Sequence, residues 1–316
     1  MVKTLTRLVL LGCMAMALMA CDATSVATVP AALGEPVSIE TLVESAGSGP
    51  LVLEKHLVAN WSVPLSGLLN LEHPKAVAAG ITDRDEPIDI YSYSIKHPSQ
   101  GTFLVDSGIS ERFRLPAEND DLSAIVKMGM NTQALVLRKS TRDLSESLGG
   151  VNGVFLTHIH IDHIMGLTDL SAATPVYIGP GDARLSGALN LFTQGTTDRL
   201  LGVQGQLREW QFGQAQVLDV FGDGSFFAIH SPGHTPGLTA YLAMTTEGPQ
   251  LMIGDATHTR WGWENGVEPG TFSADIPQSA VSLAMLIDLA HRIPAIEVHP
   301  GHQSLTGTAA LADEQD

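Results

Sequence analysis

The seven residues Thr157-His158-Ile159-His160-Ile161-Asp162-His163 constrain this chain more than any other feature. Three histidines and an aspartate packed this closely would be wasted on a water-facing loop. They suit a metal, which needs neutral imidazoles and carboxylates converging to within about 2.0 to 2.2 Å of the ion. In an extended segment residues two apart point the same way, so His158 and His160 can grip one ion. Asp162 and His163, at the turn into a helix, can reach a second ion beside it. Upstream, a helical stretch from Ser140 to Leu148 ends at Gly149-Gly150. Val151 to Thr157 then reads as a short buried strand, which places the cluster at a strand's carboxyl end.

Three later segments offer further ligands. His234 lies in Ser231-Pro232-Gly233-His234-Thr235-Pro236-Gly237, where prolines and glycines hold a tight loop after the strand Phe226 to His230. Asp255, in Ile253-Gly254-Asp255, closes another strand, and a carboxylate can bridge two ions. His302, in His299-Pro300-Gly301-His302, follows the strand Ile296-Glu297-Val298, with His299 as its near competitor. His230, His97, His56 and His73 have no convergent partners and read as surface or packing histidines.

Composition narrows the function. With 316 residues, 44% of them hydrophobic, the chain can bury a proper core as one large domain or two small ones. Only 17 Lys plus Arg face 34 Asp plus Glu, and no local basic patch is visible. A nucleic-acid partner is disfavoured, because Lys and Arg contacts to phosphate supply most of that affinity. Lys3 and Arg7 precede thirteen apolar or small residues, Leu8 to Ala20, too short a run to span a bilayer comfortably. Residues 1–20 therefore read as an export signal. Leu18-Met19-Ala20-Cys21 resembles the lipobox of bacterial lipoproteins, which implies a lipid anchor at Cys21 and a periplasmic, membrane-tethered protein. Removing residues 1–20 also removes Cys13. The exported body would have no intramolecular disulfide and no cysteine ligand for its metals.

Residues 21–45, rich in Ala, Thr, Val, Pro and Gly without clear periodicity, read as a tether, and 46–316 as one catalytic domain. Ile88 to Ile95 alternates as a strand, His97-Pro98-Ser99-Gln100-Gly101 carries turn chemistry, and Thr102 to Val105 is a second strand, so a hairpin is expected. Strands at 176–178, 216–220, 238–244 and 250–253, mixed helical character over 182–201 and an amphipathic helix at 278–292 follow. Strands, helix and strand recur in two halves, which suggests an α/β sandwich with pseudo-symmetry.

The four ligand segments resemble, in content and order, the metal-binding motifs of the metallo-β-lactamase superfamily, and Val105-Asp106-Ser107-Gly108 resembles that family's first motif. The match covers roughly residues 88–305. It implies a four-layer αββα sandwich with two pseudo-symmetric halves. It also implies that His158, His160 and His234 hold metal 1, that Asp162, His163 and His302 hold metal 2, and that Asp255 bridges them. Asp106 reads as a supporting or turn residue rather than a ligand. Two divalent ions, zinc by default with iron, manganese or cobalt as alternatives, imply hydrolysis.

The segment Gly254-Asp255-Ala256-Thr257-His258-Thr259 is most similar to N-acyl homoserine lactonases, which commonly carry a tyrosine three residues after the bridging Asp where this chain has His258. The expected substrate is a small lactone or other carboxylic ester. In that reading a metal-bridging hydroxide attacks the carbonyl, metal 1 and His258 stabilise the oxyanion, metal 2 receives the alkoxide and Asp162 shuttles a proton. The alternatives are a β-lactamase or thioesterase of the same fold, or a metal-binding lipoprotein of low turnover. Trp261, Trp263, Phe272, Met128 and Met130 are candidates for an apolar acyl-chain wall, with core packing as the competing reading.

Overall fold

In the strand Gly101–Val105, Phe103 and Val105 join one apolar cluster and the intervening Leu104 joins another. Successive strand side chains face opposite ways, so a sheet with apolar residues on both faces must be covered on both. That requirement sets the layering of the whole molecule. The computed structural model describes residues 21–114 and 121–306; the expected export segment 1–20 lies outside the described residues.

Fourteen strands form two sheets among the described residues. In chain order they are β1 (Ala27–Pro30), β2 (Glu35–Val37), β3 (Val52–Pro64), β4 (Asp85–His97), β5 (Gly101–Val105), β6 (Val136–Leu137) and β7 (Gly153–Phe155). The series continues with β8 (Val176–Ile178), β9 (Gln206–Glu209), β10 (Val217–Asp219), β11 (Phe226–His230), β12 (Thr239–Thr245), β13 (Gly248–Gly254) and β14 (Glu297–Pro300). One sheet runs β1-β9-β8-β7-β5-β4-β3-β6 and the other β14-β13-β12-β11-β10-β2. Between them lies a core rich in aromatic side chains, including Phe103, Phe155, Tyr177, Trp210, Phe226 and Tyr241. The outer face of the first sheet packs Leu104, Val154 and Leu156 against Ile164, Leu167 and Leu201 from helical segments. The second sheet's outer face packs against the helix Ile276–Arg292 through Leu286 and Leu289. This is the expected αββα sandwich.

The anticipated hairpin is present, with β4 and β5 antiparallel from Tyr93 opposite Val105 to His97 opposite Gly101. Its turn is held by His97, whose Nδ1 accepts from the backbone N–H of Ser99 and of Gln100. Two features were not legible. β3 is thirteen residues long and pairs along most of its length with β4. The segment 21–45, expected to be a tether, is drawn into the fold: β1 pairs in parallel with β9, β2 pairs antiparallel with β10, and the helix Ile39–Ser45 buries Leu42. Both short strands lie at sheet edges, where they satisfy otherwise open backbone groups. Strands of three and four residues are too brief to show periodicity in sequence.

Topology brings the ligand segments together. β5 and β7 are parallel neighbours, so Asp106 and the 157–163 segment leave the first sheet at the same edge. In the second sheet β11 and β13 are each antiparallel to β12, and β14 is parallel to β13. The carboxyl ends of β11, β13 and β14, which carry His234, Asp255 and His302, therefore share one edge too. Cross-sheet hydrogen bonds from Thr239 N–H to Thr157 O (2.8 Å) and Tyr241 Oη to Leu156 O (2.9 Å) tie the two edges at the site.

Candidate metal centre

His160 is the residue before the short helix Ile161–Ile164, with an extended backbone (φ −62°, ψ 152°), so it still continues the extended segment while Asp162 and His163 lie in the helix. The chain direction changes between the two pairs. That change separates them into two groups: ligand atoms of His158, His160, His234 and Asp255 lie within 4.8 Å of one another, as do those of Asp162, His163 and His302. All seven sequence-expected ligands are thus brought together. Asp255 joins the groups, with Oδ2 3.6 Å from His158 Nε2 and 3.3 Å from His234 Nε2, and Oδ1 3.4 Å from His302 Nε2. Asp162 Oδ2 lies 3.5 Å from His163 Nε2 and 3.4 Å from His302 Nε2. His234 Nε2 and His160 Nδ1 are 2.9 Å apart.

The rings are aimed by groups behind them. His163 Nδ1 lies 2.8 Å from Asp106 Oδ2, His158 Nδ1 3.1 Å from Thr157 Oγ1, His234 Nδ1 3.2 Å from Ser273 Oγ, and His302 Nδ1 2.9 Å from the Asp89 carbonyl. Such backing fixes which ring nitrogen faces the ion. Asp106 adopts a left-handed backbone (φ 57°) and also accepts from Thr157 N–H at 2.8 Å. It stands behind His163 and is not among the clustered ligand atoms. At Gly301 a side chain would collide with Asp255 Oδ1, so only glycine lets the last loop pass behind the Asp255 carboxylate.

The cluster's polar atoms fit a divalent cation. His158 Nε2, His163 Nε2 and Asp255 Oδ1 are buried without a hydrogen-bond partner, an arrangement that is costly unless a ligand completes it. The donors are nitrogen and oxygen, without sulfur, as zinc and the harder first-row ions accept. Burial, with the neighbouring His163, holds His158 well below the usual imidazole range, and burial holds His234 down at about 3, so both rings are in the neutral, ligating form. Burial acts against charge on Asp255 as well, yet the imidazoles that surround it keep its carboxyl well below the usual carboxylate range. His163 is driven the other way: Asp106, Asp162 and Asp255 overcome its burial and raise it, which shows how strongly this spot calls for positive charge.

A cavity of about 550 Å³ opens onto the cluster, reaching His160, Asp162, His234, Asp255, His258 and His302. Its other wall is apolar, formed by Trp61, Val63, Ile88, Met130, Leu189 and Phe272. Of the five candidates for such a wall, Met130 and Phe272 are in place; Trp261, Trp263 and Met128 are not among the lining residues, and Met128 is 79% exposed. Trp61 was missed. It lies on β3, and nothing local in sequence connects it with residues a hundred positions away.

The sequence model of the metallo-beta-lactamase superfamily matches residues 86–260, more than half of the chain. The chain belongs to the metallo-beta-lactamase superfamily. That match contains every superfamily ligand position assigned here except His302, which the geometry alone places. Among curated relatives, the N-acyl homoserine lactonase AttM of Azorhizobium caulinodans is 31% identical over 156 residues, covering 48% of this chain and 58% of the relative. The gamma-lactamase FDB1 of Fusarium pseudograminearum is 27% identical over 188 residues, covering 53% and 45%. The chain thus spans about half the length of these relatives. Solved structures agree on the superfamily fold: a quorum-quenching N-acyl homoserine lactone lactonase superposes with a TM-score of 0.57 at 16% identity, over 79% of this chain and 91% of that one. The dizinc quorum-quenching lactonase AidC gives 0.51 at 14% identity, over 85% and 90%.

Proposed function

We propose that this superfamily member is a dinuclear-metal hydrolase of lactones or other carboxylic esters, with N-acyl homoserine lactones as the substrate class. The observation that carries the reading is the single cavity that joins a seven-ligand N/O cluster to an apolar wall. A small polar ring bearing an acyl chain fits both ends at once, the carbonyl at the ligands and the chain along Trp61, Met130 and Phe272. Similarity to the lactonase AttM supports the same class.

Two divalent ions held by these residues would polarise the carbonyl and make hydroxide available near neutral pH. The chain's own groups position and exclude. Asp162 lines the cavity with its side chain 14% exposed, placed to hold or pass a proton between the reacting centre and water. His158 and His234 are 0% and 1% exposed and stay neutral, so neither competes as an acid. The apolar wall keeps bulk water from the acyl side and leaves the approach to the carbonyl oriented.

The test is a panel measured on zinc-loaded protein: homoserine lactones of several chain lengths, aryl esters, a γ-lactam and a β-lactam. Highest kcat/KM on the lactones is expected. Protein that binds two ions and hydrolyses none of the lactones or esters overturns the reading, and it then stands as a metal-binding protein of low turnover. A γ-lactam is the second reading, favoured by the similarity to FDB1; it would displace the first if it were turned over faster than every lactone.

We further propose that the chain is exported and anchored through a lipid on Cys21. That residue is half-buried, and its carbonyl accepts from Asn190 Nδ2 at 2.8 Å. Metabolic labelling with palmitate that disappears in Cys21→Ser supports the anchor, and unlabelled wild-type protein refutes it.

A further inference from the structure

His258 is built into the site in the way its ligands are. Its ring is 1% exposed, and Nδ1 lies 2.9 Å from the backbone carbonyl of Leu68. A carbonyl oxygen only accepts, so the proton sits on Nδ1. The opposite nitrogen, Nε2, points at Asp255 Oδ2 from 3.1 Å. His302, an expected ligand, repeats each element: Nδ1 at 2.9 Å from the Asp89 carbonyl, Nε2 at 3.4 Å from Asp255 Oδ1, and a ring within 10° of parallel to that of His258 at 5.5 Å. Ligand atoms of Asp255, His258 and His302 also lie within 4.8 Å of one another.

This geometry bears on the role expected from sequence. An imidazole that donates to an oxyanion needs a proton on the nitrogen facing the substrate. Here Leu68 takes the one proton a neutral ring has. With Nδ1 turned to Leu68, Nε2 is the ring atom that faces Asp255, and it lies within reach of a cation shared with Asp255 and His302.

We propose that His258 is an eighth protein ligand, binding through Nε2 an ion that it shares with Asp255 and His302. The proposal rests on the dinuclear reading above. It gives the centre eight protein ligands, six of them imidazoles. A site with that many ligands has less need of water in its coordination shell and tolerates ions that accept more than four ligands, while zinc in structural sites keeps to four.

The deciding experiment loads the full chain with cadmium-113 and records cadmium–proton correlations to the assigned histidine rings. Six coupled rings are expected, His258 joining His158, His160, His163, His234 and His302. Five coupled rings without His258 overturn the inference and leave the seven-ligand centre standing. Uptake of fewer than two equivalents of cadmium overturns both. In zinc competition against a chelator, His258→Phe is expected to weaken the second equivalent about tenfold or more with little effect on the first. Equal binding of both equivalents by wild type and variant also overturns it. The wild-type spectrum decides the matter even if the variant fails to fold.

Discussion

Asp106 Oδ2 lies 2.8 Å from His163 Nδ1, and the two residues are 57 positions apart in the chain. The aspartate lies behind the ring and is not among the clustered ligand atoms. It accepts the ring proton of His163 and so turns the other nitrogen, otherwise without a partner, toward Asp162 and Asp255. Asp106→Asn keeps the size and removes the charge. Affinity for the ion bound with Asp162 and His302 is expected to fall about 10- to 100-fold, the usual effect of losing a partner behind a ligand. Chelator competition with zinc measures it. Unchanged affinity would show that Asp106 serves only the turn at φ 57°.

Gly301→Ala places a methyl group against Asp255 Oδ1 and 3.0 Å from Gly254 O. The Asp255 carboxylate must move or the loop must. Far-UV circular dichroism should be retained while bound metal, measured by plasma mass spectrometry after dialysis, drops below two equivalents. Full retention of two equivalents would mean the loop yields without disturbing Asp255.

Met130 and Trp61 form part of the apolar wall, and Trp61 is fixed there by an indole N–H hydrogen bond to the Asn131 carbonyl at 3.3 Å. Met130→Trp fills part of the space a long acyl chain would use. Each buried methylene contributes about 0.8 kcal/mol, so exclusion of two lowers kcat/KM for long-chain relative to short-chain lactones by about tenfold. An unchanged chain-length profile would place the acyl group elsewhere.

Lys55 tests stability away from the site. Its Nζ is buried with no hydrogen-bond partner, 3.7 Å from the centre of the Tyr91 ring. Burial lowers its pKa from 10.5 to about 8, against the opposing pull of Asp89 and Glu297. Between those values the unfolded chain holds more proton than the folded one, so folding stability rises with pH across that window and the full cost is present below pH 8. Lys55→Met should be more stable than wild type at pH 7 by about 1 to 3 kcal/mol in urea unfolding. The advantage should shrink as the pH approaches 10.5. A constant difference would assign it to packing and not to charge.

The sequence by itself brought out the cluster of metal-type residues and, through it, the superfamily. Those residues sit at strand ends and loop turns whose local rules are short-range: alternation puts His158 with His160, a helix start separates Asp162 and His163, and Pro-Gly turns mark His234 and His302. Tertiary structure decided what stands behind and beside them. The carbonyls of Leu68 and Asp89 reach His258 and His302 across 190 and 213 positions, and the wall at Trp61 meets Met130 and Phe272 only through folding. A backbone carbonyl leaves no mark in sequence, since every residue has one. For that reason sequence could name His258 as a candidate proton donor, whereas only the fold shows that its Nδ1 meets the Leu68 carbonyl and its Nε2 faces Asp255.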